Sequence, residues 1–212
     1  MNVLYSFRYR IGLPAAVLET QPRSRQWIIE GAGQSRYRFK LVSAARIVPR
    51  ADLVAIGIPD ATPEIIRRYS LDDEQALLAI VRYNRLIDIF PGLTTYSLQN
   101  HLRSTVKKIG QMEIDEFYIG LDKYSCHYAI PVQAKGGKDQ IGIVQISQDI
   151  AFVKEKFPAL RCRAIAAQFM ANDVVALLEL TIQKDQVKVV EEKHYKLLPH
   201  DEIDAAAIVS YR

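Results

Sequence analysis

The sequence predicts an α/β or α+β fold, a mixed central sheet flanked by helices, with a smaller β-rich unit at the N-terminus. Three observations carry this expectation. Short strand-like stretches separated by Gly, Pro, Ser and Arg clusters fill the first fifty residues; helical patterns run from there to about residue 109; from residue 113 the order becomes strand, strand, helix, strand, strand, strand. Such an order argues for layers of helix on sheet. With 212 residues, 49% of them hydrophobic and 25% charged, the chain is long enough for one full core and a small appendage.

In the N-terminal unit the strand-like stretches are VLYSFRY, PAAVLET, QWIIEG, RYRFKLV and ARIVPR. Within RYRFKLV the two-residue period sets Arg36, Arg38 and Lys40 on one face and Tyr37, Phe39 and Leu41 on the other, so one face packs and the other is open to phosphates. IPDATPEII turns into a helix, with Thr62 as its N-cap and Pro63 at its first position. A longer helix is expected from about Leu71 to Phe90, stopped by Pro91 and Gly92, and a third over about 96–109, ended by Gly110. The later strands fall at about 113–120, 126–135, 161–169, 173–182 and 187–195, with a helix over about 139–156. These elements divide the chain into a basic unit with linking helices, 1–92, and a second domain, 93–212.

Charge is distributed unevenly. Residues 1–50 carry nine basic groups against Glu19 and Glu30, a net of +7, while the whole chain is +4. A concentrated positive stretch suits a polyanion, because each phosphate neutralised releases condensed counterions. No apolar run approaches the roughly 20 residues that cross a bilayer, and MNVLYSFRYRIGLP has arginines where a signal peptide would be apolar. A cytoplasmic protein with no membrane partner is expected, with Cys126 and Cys162 as buried thiols.

The chemistry is expected in EIDEFYIGLDKYSCHYAIPVQAK, residues 113–135. Glu113 and Asp115 share a strand face, as do Gln133 and Lys135 on the next long strand, and the turn around Gly120 to Ser125 brings the strands side by side. Oxygen ligands beside a cation are what phosphodiester hydrolysis needs. A hard divalent ion polarises the phosphate and lowers the pKa of an attacking water, and a lysine positions that water and offsets developing charge. Asp115 is the bridging ligand in this reading and Lys135 the cation. Gln133 offers only an amide oxygen, a deficit that Glu113 is expected to offset.

The arrangement resembles the PD-(D/E)XK nuclease superfamily: an acidic residue on one strand, an apolar strand ending in (D/E/Q)-x-K, then a helix. Here these are EID at 113–115, IPVQAK at 130–135 and the helix KDQIGIVQISQDIAFVKEKF. The glutamine variant is similar to that of Mrr-type restriction endonucleases. The resemblance covers roughly residues 95–170. It implies a restriction-endonuclease-like fold, Mg²⁺ or Mn²⁺ as cofactor, and Ala134 as a further metal ligand through its backbone carbonyl. Members often carry another glutamate on the helix before the first catalytic strand; the expected helix YSLQNHLRSTVKKIG has Gln99 and no acid.

The function implied is a DNA endonuclease of restriction or defence type, acting on double-stranded DNA. A homodimer is expected, since cutting both strands takes two sites. Arg36, Arg38, Lys40, Arg82, Arg85, Gln145 and Gln148 are the candidate DNA contacts, arginine and glutamine being groove and phosphate readers. A non-catalytic nucleic-acid-binding protein and an RNA-directed nuclease stay open as alternatives. GAG at 31–33 and GGK at 136–138 lack the spacing of nucleotide-binding loops, and the four histidines have no metal spacing, although His127 shares strand parity with Gln133 and Lys135.

Overall fold

Turn residues and alternating apolar positions shape the described residues before Asp60 into a one-turn helix, a hairpin and two short strands. The computed structural model describes residues 12–33, 35–70, 74–137 and 139–203, together with Leu4, Ser6 and Phe7. A one-turn helix α1 (Ala15–Leu18) precedes the hairpin of β1 (Gln26–Gly31) and β2 (Tyr37–Val42), followed by β3 (Arg46–Ile47) and β4 (Ala55–Pro59). Helices α2 (Glu64–Tyr69), α3 (Glu74–Tyr83) and α4 (Leu86–Ile89) come next. Then follow the meander β5 (Thr94–Val106), β6 (Gly110–Leu121) and β7 (His127–Lys135), the short β8 (Ile141–Gly142) and helix α5 (Ile143–Lys156). The chain continues through β9 (Arg161–Cys162), β10 (Ala164–Met170), β11 (Val174–Gln183) and β12 (Gln186–Leu198) to a 3-10 turn at His200–Glu202.

Several expectations are corrected. PAAVLET is not a strand: Pro14 caps α1, and alanine and leucine favour helix. Of VLYSFRY only Leu4, Ser6 and Phe7 are described, in helical conformation. Pro63, not Thr62, is the N-cap of α2. The helix expected over 71–90 is two helices, and Leu71 lies outside the described residues. The break falls where Arg85 adopts a left-handed φ of 53°, beside a buried Asn84 that donates to the Ile80 carbonyl and to Thr62. The third helix, over 96–109, is strand β5, paired antiparallel with β6 from Thr94–Leu121 to Val106–Gly110.

The main sheet has the order β4-β12-β11-β10-β7-β6-β5, with β9 pairing alongside β7. Parallel pairs occur between β7 and β10, β7 and β9, and β12 and β4; the other neighbours are antiparallel. One face is covered by α3 and α4 through Leu77, Leu78, Val81, Leu86 and Ile87, packed on Ile130, Val132, Ala134, Ile165 and Ala167. The other is covered by α5 through Ile146, Ile150, Phe152 and Val153. The result is a mixed α/β architecture, one sheet between helical layers, and β4, α3 and α4 belong to it although they precede residue 93. Pro131 is accommodated because β7 makes no pair on its β9–β10 side there: β9 pairs at Tyr128 and Ala129, β10 from Val132 onward. Among the described residues no helix is long and apolar enough to cross a membrane.

The β1–β2 hairpin stands apart from this sheet and docks at two points. Ile28 and Val42 pack on Ile143 at the start of α5. Gly31 presses on the turn before β6, so closely that a Cβ there would lie 1.9 Å from the Ile109 carbonyl oxygen. Gly31→Ala therefore displaces the hairpin, at a cost of about 3 kcal/mol. Limited proteolysis should cut the variant within residues 32–36 while the sheet stays intact; protection equal to the wild type would contradict this docking.

Candidate active site

The site is made where two strands part. β6 and β7 are paired from Leu121–His127 as far as Glu116–Val132 and no further. Beyond that point β6 stays with β5, and β7 stays with β10 through Lys135–Gln168. Backbone groups freed by the divergence are met by side chains. Asp115 Oδ2 accepts from the Ala134 N–H at 2.9 Å, and Gln133 Nε2 donates to the Glu113 carbonyl at 3.0 Å. Buried backbone groups need such partners, so Asp115 and Gln133 also brace the open end of the sheet.

Asp115, Gln133 and Lys135 are thus brought together. Gln133 is 1% exposed, and its Nε2 also donates to Asp149 Oδ2 on α5 at 2.9 Å. Its own Oε1 is buried with no hydrogen-bond partner, and so is Asp149 Oδ1. Lys135 extends its ammonium toward α3, where Glu74 Oε1 stands 3.6 Å from Nζ. Glu113 is near but faces elsewhere: its carboxylate pairs with Arg103 at 3.2 Å and His101 at 3.4 Å, so its contact with the site is the backbone carbonyl. Ala134 is fully buried against the α3 layer. His127 lies at the far end of β7, roughly 20 Å from Gln133 at the rise of a strand.

Electrostatically the site is acid-rich and poorly solvated. Burial pushes the Asp115 carboxyl above its ordinary value; the Ala134 N–H and the charge of Lys135 pull it back, and Glu74 adds to the rise. Asp149 is pushed well above the ordinary range, first by complete burial and then by the charge of Asp115, against the Gln133 hydrogen bond and Lys135. Among the described residues no three His, Cys, Asp or Glu side chains stand close enough to hold a metal ion. The oxygen donors assembled are instead two carboxylates and an amide, with buried acceptor atoms not yet satisfied.

The candidate DNA contacts are dispersed. Arg38 is exposed, as expected of it, while Lys40 is half-buried. They line, with Lys108, Ile28, Val42 and Gln148, a cavity of about 420 Å³ between the hairpin and α5, and both pair with Glu30. Arg36 is exposed near the hairpin turn. Arg82 is tied to the buried Glu116, which also accepts from the Tyr118 hydroxyl, and Arg85 pairs with Asp88 at 2.8 Å. Gln148 is buried, and Gln145 is half-buried beside Arg46 and the hairpin.

Two residues of the site escaped sequence reasoning. Glu74 was hidden by the reading of β5 as a helix, which made 96–109 the helix before the first strand; with β5 recognised, α3 and α4 precede the strands, and Glu74 is in the first turn of α3. Asp149 carried a signal of its own. It shares the sheet-facing side of α5 with Ile146, Ile150 and Val153, where an acid is out of place on an apolar stripe.

The raised Asp115 value sets the sign of a pH effect. The unfolded chain has an ordinary aspartate, near pKa 4, while the folded chain holds the proton more tightly. The stability contributed by Asp115 is therefore full below about pH 4 and is lost as pH rises through the folded value. Asp115→Asn keeps an oxygen for the Ala134 N–H and removes the cost of an ionised buried group. The metal-free variant should melt above the wild type at about pH 7.5, with the gap closing toward about pH 4. Melting at or below the wild type throughout would contradict the assignment.

Compared with models of known protein families, with curated proteins and with solved structures, the chain matches none.

Proposed function

We propose that this protein is a metal-dependent endodeoxyribonuclease of the PD-(D/E)XK type, hydrolysing phosphodiester bonds of double-stranded DNA in a restriction or defence role. The observation that carries the reading is the meeting of Asp115, Gln133 and Lys135 at the parting of β6 and β7. The order around them is the one the resemblance calls for: an acidic strand, an apolar strand ending in Q-x-K, and a helix packed back on both. Glu74 adds to it, as a glutamate on the helix that precedes the strands, 3.6 Å from Lys135.

The residues fit a hard divalent cation. The partnerless Gln133 Oε1, buried in a protein interior, calls for a positive partner. Asp115, Gln133 Oε1 and the Ala134 carbonyl would hold the ion, Mg²⁺ or Mn²⁺, which when bound polarises the phosphate and acidifies a water. Lys135 carries the remaining work. Its side chain is largely buried, and its ammonium, paired with Glu74 at a distance longer than a hydrogen bond, keeps donors for orienting the attacking water and for charge growing on the phosphoryl oxygens. The positive N-terminal stretch supplies non-specific attraction for the duplex. Since each chain carries one such set, cutting both strands calls for a homodimer. Light scattering that gave a monomer alone and on DNA would remove that element.

Purified protein incubated with plasmid and Mg²⁺ or Mn²⁺ should relax and linearise it. Asp115→Ala and Lys135→Ala should each lower the rate by about 10²-fold or more. Cutting by both variants at the wild-type rate would mark the activity as a contaminant and end the proposal. A second reading, a nucleic-acid-binding protein that keeps the fold without the chemistry, is favoured by the lack of three metal-binding acidic, His or Cys side chains among the described residues. Tight, salt-sensitive duplex binding with no cleavage in either metal would decide for it.

A further inference from the structure

The Gln133 amide is fully committed on its nitrogen side. Nε2 donates to the Glu113 carbonyl at 3.0 Å and to Asp149 Oδ2 at 2.9 Å. Reversing the amide would turn its oxygen onto two acceptors, so these contacts fix the orientation and leave Oε1 pointing away from both. That Oε1 and Asp149 Oδ1 are both buried without a partner. Each such atom costs about 1–3 kcal/mol when nothing meets it. With Asp149 ionised both are acceptors on adjoining side chains, and a cation within reach of the two would satisfy them.

Asp149 is unexplained by packing. It is 1% exposed in the middle of α5, on the side where Ile146, Ile150 and Val153 meet the sheet. An acid on that stripe loses the solvation it would have on the opposite face, which a fold retains only for a partner. The partner it has in place is an amide from the strand position where a two-carboxylate site would carry its second acid.

We propose that Asp149 is the second carboxylate ligand of this metal site, delivered by helix α5 and held in place by Gln133, which acts as ligand and positioning residue together. The assignment rests on the nuclease reading only in requiring a divalent cation at Asp115. In this arrangement the negative charge that β7 lacks comes from the helix, and the Gln133–Asp149 hydrogen bond sets the distance between strand and helix donors. Exchanging the two groups, with Asn at 149 and Glu at 133, keeps the hydrogen bond between them with donor and acceptor reversed, gives up the donation to the Glu113 carbonyl and moves the charge to the strand.

The test is Mn²⁺ binding to the full-length protein, without DNA, read by the loss of the free-ion electron paramagnetic resonance signal. Wild type, Asp149→Asn, and the double variant Asp149→Asn with Gln133→Glu are compared, each with circular dichroism and a melting curve to establish folding. Asp149→Asn should weaken Mn²⁺ binding on the order of 100-fold, and the double variant should recover most of that loss. Binding by folded Asp149→Asn equal to the wild type overturns the assignment and leaves the nuclease reading standing. A double variant as weak as the single one also overturns it, since a charge restored at 133 would then not replace the one lost. A wild type that binds no Mn²⁺ removes both readings.

Discussion

Everything at the candidate site depends on β6 leaving β7 after the Glu116–Val132 pair. An antiparallel ladder that ran on would bring Ala134 opposite Ile114 and leave no space between the strands. Because the strands diverge, the Ala134 N–H and the Glu113 carbonyl fall to Asp115 and Gln133. The side chains that satisfy the opened backbone are the ones with spare oxygens. Truncating either residue therefore removes a ladder substitute as well as a spare oxygen.

The divergence is held from both sides of the sheet. On one, Glu116 is locked by Arg82 and Tyr118 against the α3 layer, fixing the last paired residue of β6. On the other, α5 brings Asp149 against Gln133 at the start of the unpaired stretch of β7. Helical layers thus do more than cover apolar strands here. On one face α3 brings Arg82 to neutralise the buried Glu116 of β6, and on the other α5 brings the buried Asp149, left with an unsatisfied oxygen. The first is a tie of the fold, and the second has the unfinished character of a binding group.

Much of this was legible in the sequence. The acidic strand, the apolar strand with Gln133 and Lys135, and helix α5 follow from two-residue and 3.6-residue periods with clear turn residues between them. β5 was misread for a physical reason. It is an edge strand with residues 96–101 exposed on both faces, so it has no apolar alternation, and LQNHLR carries ordinary helix formers. Eleven register pairs with β6 override that local preference. The error propagated, because Glu74 acquires meaning only once its helix is seen to precede a three-stranded meander. Arg82 shows the opposite failure: its residue type fits a phosphate contact, and nothing local reveals that Glu116, 34 positions away, claims it.

The contact of Gly31 with Ile109 has a mechanical side. Ile109 immediately precedes β6, and Asp115 lies six residues beyond it, on that strand. The arginine-bearing hairpin is therefore coupled, backbone to backbone, to the strand that carries the acid, with no flexible side chain in between to absorb displacement. A load applied at the hairpin is passed into β6 through that backbone contact. The hairpin works as a lever whose fulcrum is a glycine.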